Sequence, residues 1–82
     1  MTVVEFEALG MTQQVSMLYR HGVYIGKQKR LDQVMLLYQL DHFYVEVIYS
    51  RYRRYISRLR CTSSVSVLDP YLEQIDVEQL VG

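Results

Sequence analysis

The chain has 82 residues, nine Lys and Arg against nine Asp and Glu, and half of its residues are hydrophobic. That balance excludes a disordered chain, which needs low hydrophobicity or high net charge. Four glycines and one cysteine exclude collagen-like and disulfide-scaffold architectures.

The length suits one domain, residues 1–82, with a modest core. No stretch reaches the roughly 20 apolar residues of a membrane span. The longest, Val34 to Tyr49, is broken by Gln39, Asp41, His42 and Glu46. The N-terminus is acidic rather than signal-like, and neither end carries a lipidation motif. Cys61 has no second cysteine to pair with. The expectation is a cytoplasmic protein without membrane association.

The zero net charge hides a partition. Residues 1–19 hold Glu5 and Glu7 and no base. Residues 20–60 hold all nine bases and three acids, a net +6. Residues 61–82 hold Asp69, Glu73, Asp76 and Glu78 and no base. A basic centre between acidic ends is a dipole that can steer a partner.

In chain order, Thr2 with Glu5 three residues on suits a capping box. Gly10 interrupts, and Thr12 is the expected cap of a helix over about 12–21, with Val15, Leu18 and Tyr19 on one face. Gly22 is expected to close that helix in the left-handed conformation. The next forty residues change to period two and are rich in Val, Ile, Tyr and Phe. Gly22–Lys29, Asp32–Leu40, Phe43–Ser50 and Tyr55–Thr62 read as four strands. The short connections, Arg30-Leu31, Asp41-His42 and Arg51–Arg54, require an antiparallel meander. Asp69 and Pro70 read as N-cap and first residue of a C-terminal helix. Asp76 with Gln79 could restart it. The fold class is therefore α+β: a four-stranded antiparallel β-meander between an N-terminal and a C-terminal helix, both expected on one sheet face.

That core face carries Val34, Leu36, Tyr38 and Leu40 beside Phe43, Val45, Val47 and Tyr49, with Val23 and Ile25 joining from the first strand. Pairing Tyr49 with Tyr55 sets Glu46 opposite Arg58 and Tyr44 opposite Arg60. The second face then carries Tyr24, Met35, Leu37, Gln39, Tyr44, Glu46, Ile48, Ile56, Arg58 and Arg60. It is half apolar, where a solvated face should be polar. Met, Tyr and Arg are also the types enriched at interfaces. Either a helix wraps onto this face or it is a contact surface. The first functional expectation is a binding or assembly module, self-associating, most simply as a dimer, through Met35, Leu37, Tyr44, Ile48, Ile56, Arg58 and Arg60.

The second expectation uses residues 49–60, which hold five Arg, three Tyr and no acid. Arg suits bidentate phosphate contacts and Tyr suits base stacking. Arg51, Tyr52, Arg53, Arg54, Arg58 and Arg60 would contact a nucleic acid or another anion. Helix-turn-helix, zinc-finger and RNP patterns are all missing.

Catalytic signals are weak. Nothing in the spacing pairs Cys61 with His21 or His42, and Cys61 falls on the core face. Two histidines without ligand spacing make no metal motif. The expectation is a non-enzymatic protein with no cofactor and no metal.

Overall fold

In the computed structural model, which describes residues 1–52 and 55–72, local chemistry sets the first helices. Thr2 Oγ1 accepts from the Glu5 N–H and the Glu5 carboxylate accepts from the Thr2 N–H, closing the expected capping box on helix α1, Val3–Glu7. Helix α2 spans Met11–His21 and starts from Gly10, not Thr12, with no side-chain cap. The Gln14 side-chain amide instead donates to the Phe6 carbonyl at 2.9 Å, tying α2 to the end of α1. Gly22 is extended (φ −76°, ψ 148°) rather than left-handed, so the chain runs straight from α2 into the sheet. Its need for glycine is steric: a Cβ there would stand 2.7 Å from the Leu18 carbonyl oxygen.

Four strands follow: β1 Val23–Lys29, β2 Gln33–Leu40, β3 Phe43–Ser50 and β4 Ile56–Thr62. They pair in the order β1-β2-β3-β4, every pair antiparallel. The α+β meander is thus the one the periodicity predicts. The β2–β3 hairpin has the expected register, Leu40 opposite Phe43. Its two-residue turn holds Asp41 at φ 54°, a conformation Asp tolerates better than most residues.

The first sheet face packs under the N-terminal helices. Phe6 and Leu18 join Leu40, Phe43, Val45 and Val47 in one buried cluster. The Phe6 and Phe43 rings meet edge-on at 5.7 Å, a geometry that complements ring quadrupoles. Leu36, Tyr38, Tyr49 and Cys61 are partly buried around the cluster, as the period-two reading requires.

Both outer strands depart from the expected register, each through an irregularity. Between β1 and β2 the pairing shifts after Tyr24, so Tyr24 stands opposite Tyr38 and Gly26 opposite Leu37. Tyr24 therefore belongs to the first face, its ring edge-on to Tyr38 at 5.6 Å. Ile25 packs on the second face, and Val23 is 63% exposed. Between β3 and β4, Glu46 pairs with Arg60, Ile48 with Arg58 and Tyr49 with Ile56. Ser57 is the extra residue. A bulge of one residue reverses which face the following side chains occupy. It sends Ile56 to the first face, where it packs on the Phe6 cluster, and leaves Arg58 and Arg60 on the second. Bulges and charges on both outer strands also discourage edge-to-edge pairing.

The C-terminal segment crosses to the second face instead of sharing the first. Ser64 caps a 3-10 helix, Val65–Leu68, by accepting from the Ser66 N–H. Asp69 is already helical (φ −55°, ψ −50°) and is no extended N-cap. The helical turn it begins is described as far as Leu72. Val67, Leu68 and Tyr71 lie over Met35, Leu37 and Ile48 and form a second buried cluster. The expected restart at Asp76 and Gln79 lies outside the described residues. No helix among the described residues is long and apolar enough to cross a membrane.

Candidate functional site

The expected self-association surface divides into three parts. Met35, Leu37 and Ile48 are buried under the chain's own Val67, Leu68 and Tyr71. Tyr44 is half-buried beside them. Ile56 lies on the opposite face. Arg58 and Arg60 stay exposed on β4, and Arg60 forms an ion pair with Glu46, Nε to Oε1 at 3.6 Å. Glu46 also accepts a hydrogen bond from the Tyr71 hydroxyl at 2.8 Å. One buried carboxylate thereby fixes the C-terminal segment and engages an arginine of the basic run.

Of the expected anion-binding residues, Arg51 and Tyr52 lie at one end of the sheet, while Arg60 stands opposite Glu46 along β4. The β3–β4 loop begins at Arg51, whose backbone N–H donates to the Asp32 carbonyl at 2.9 Å. Its guanidinium reaches the Arg30 and Leu31 carbonyl oxygens at 3.5 and 3.4 Å. The β1–β2 loop is closed by Arg30 N–H to Gln33 carbonyl at 2.8 Å, and the β3–β4 loop by Ser50 N–H to Tyr55 carbonyl at 3.3 Å. Two hairpin loops distant in sequence thus form one surface. It joins Lys29 and Arg30 to Arg51 and Tyr52, all exposed. Arg53 and Arg54 lie outside the described residues. Arg58, just past the bulge, extends the surface along β4.

Sequence reasoning missed Lys29, Arg30 and Leu31. The signal was available in part. Segments 27–33 and 49–60 hold eight of the nine bases and one acid, Asp32, and a meander brings alternate loops to the same end. Leu31 is 86% exposed and Tyr52 78% exposed, so each basic loop carries an apolar or aromatic side chain into solvent. Asp32 sits within this basic end, whereas Glu5, Glu7 and Asp41 lie away from it. The opposite end of the sheet holds the β2–β3 turn, where Asp41 meets the N-terminal amine at 2.8 Å, and α1 with Glu5 and Glu7. An eight-residue strand separates the two ends by about 25 Å. That distance exceeds the screening length of roughly 8–10 Å in physiological salt, so Glu5, Glu7 and Asp41 do not cancel the basic end.

A groove between α2 and the first face, lined by Leu18, Tyr19, Tyr38, Tyr49 and Ile56 among others, has a cavity volume of about 30 Å³. It has room for a water or two, not for a substrate. Cys61 is partly buried, and burial with the nearby Glu7 charge pushes its thiol up to about 11. Such a thiol is a poor nucleophile at neutral pH. Among the described residues no His, Cys, Asp or Glu group has the makings of a metal site. No family model, curated protein sequence or solved structure matches the chain.

Proposed function

We propose that the protein is a small non-enzymatic binding module that engages phosphate-bearing anions through the loop end of its sheet. The observation that carries this reading is the union of two basic loops by Arg51, bonded through its N–H to Asp32 and through its guanidinium toward Arg30 and Leu31. A sequence run of arginines is more often a solvated stretch than a site. Here the fold places a second run beside it. Arg30 and Arg51 offer forked donors suited to phosphate oxygens, and the separation of charge along the sheet orients an anion toward them.

Self-association through the second face has less support, because the chain's own C-terminal segment occupies the apolar area that reading needed. A cytoplasmic setting is part of the proposal, on the single thiol of Cys61.

Titration with a fluorescent polyphosphate chain at low salt tests the reading. Binding is expected, with affinity falling steeply as salt rises, since phosphate contacts release counterions. Arg30→Gln and Arg58→Gln are each expected to weaken it, and Arg20→Gln, on α2, to leave it unchanged. Absence of binding at about 50 mM salt, where such contacts are strong, overturns the reading.

A further inference from the structure

The two loops at the basic end each carry a residue that phosphate binding does not require. Leu31 is 86% exposed, and on the adjoining loop Tyr52 is 78% exposed. A leucine displayed to water at the tip of a hairpin has no packing role in the chain. Nucleic-acid recognition gives it no use either, because bases stack on aromatic or guanidinium planes rather than on an aliphatic tip. Leucine at a tip, tyrosine beside it and bases around both is instead the chemistry of a bilayer interface. Aliphatic groups enter the acyl boundary, tyrosine rings sit at headgroup level, and Lys and Arg meet anionic headgroups.

We infer that this end of the sheet docks on an anionic membrane surface, with Leu31 and Tyr52 entering the interface and Lys29, Arg30 and Arg51 contacting lipid phosphates. The inference rests on the proposed affinity for phosphate-bearing anions and names its source. Charge complementarity orients the molecule: the acids of α1 and the β2–β3 turn lie at the far end of the sheet, turned away from a negative leaflet. The loops are coupled by the Arg51 N–H to the Asp32 carbonyl, so their tips enter together. Binding of this kind is peripheral and reversible, since one leucine and one tyrosine supply far less apolar area than a membrane-spanning helix.

Cosedimentation with vesicles of phosphatidylcholine, with and without phosphatidylserine, tests the inference on the full chain. Binding is expected only where phosphatidylserine is present, and is expected to fall with salt. Leu31→Ser is expected to weaken vesicle binding about tenfold by removing buried apolar area. It should leave polyphosphate binding unchanged, which also shows that the variant is folded. Arg30→Gln is expected to weaken both, vesicle binding by about fivefold. Polyphosphate binding without vesicle binding overturns the membrane inference and leaves the broader reading standing. So does vesicle binding indifferent to Leu31→Ser. Tighter binding to single-stranded RNA than to the anionic vesicles, equally indifferent to Leu31→Ser, overturns it in favour of a nucleic-acid ligand. Failure of polyphosphate binding overturns both.

Discussion

The Tyr71 hydroxyl donates a 2.8 Å hydrogen bond to Glu46 Oε2 across the second sheet face, and neither residue is more than 7% exposed. A buried carboxylate is costly unless bonded and paired, and Glu46 has a donor in Tyr71 and a cation in Arg60. The bond also anchors the segment that covers Met35, Leu37 and Ile48. Burial, and then the carboxylate it serves, push the Tyr71 hydroxyl well above the usual tyrosine range.

Removing that donor should therefore cost more than an ordinary surface bond. Tyr71→Phe keeps the ring and leaves Glu46 Oε2 unsatisfied, an expected loss of about 1–3 kcal/mol. Urea unfolding followed by circular dichroism measures it. Glu46→Gln in the Tyr71→Phe background removes the orphaned charge and should recover part of the loss. Equal additive losses in the double variant would show that the two residues are not coupled.

Leu37 is fully buried between the sheet and the C-terminal segment. Were it the centre of a contact between copies, Leu37→Asp would release a folded monomer. In this packing the same change sets an unpaired charge beneath Tyr71, and the chain should unfold. The milder Leu37→Ala should cost about 2–5 kcal/mol, the range for a buried leucine. A folded, more soluble Leu37→Asp protein would restore the second face as a contact surface.

The contrast between Leu37 and Ile56 shows what was legible. Period-two alternation read the faces of β2 and β3 correctly, because each residue's face follows from its neighbour's. It failed at Ile56, and at Tyr24 and Ile25, because one extra residue in an outer strand inverts the alternation and neither Ser57 nor Ile25 carries a local mark of a bulge. The Thr2–Glu5 box was legible because both partners lie within one turn. Whether the C-terminal helix covers the first or the second face was not, since an amphipathic pattern states that a side is buried and not against what. The site was half legible for the same reason. Arginine density marked Arg51 and Tyr52, but the meeting of their loop with Arg30 and Leu31 is a tertiary contact.

Gly22 gives a sharper steric test. Its backbone is extended, a conformation open to any residue, so conformational preference alone predicts a harmless Gly22→Ala. The close approach to the Leu18 carbonyl predicts otherwise, because that oxygen is backbone and cannot rotate aside. The helix end must shift, at an expected cost of about 1–3 kcal/mol. Thermal unfolding checks it. Gly10→Ala meets nothing within 4 Å and serves as the comparison, with a much smaller change expected.

Stability should also fall in mild alkali. The Cys61 thiol ordinarily titrates near 9.0 and is held up to about 11 in the folded chain, by burial first and then by the Glu7 charge. Below about pH 9 folded and unfolded chains both keep the proton. Between 9 and 11 the unfolded chain loses it and the folded chain does not, so each rise in pH favours unfolding. Tyr38 and Tyr71 are raised as well, by burial in each case, and add to the loss as pH climbs past the ordinary tyrosine value. Urea midpoints should therefore be lower at about pH 10 than at about pH 7. Cys61→Ala should flatten the first part of that fall, just above pH 9, where tyrosines scarcely titrate. Iodoacetamide supplies an independent measurement: at pH 9 alkylation of Cys61 should be slow in the folded chain and accelerate in urea. Equal rates in the two states would show a thiol that burial does not hold.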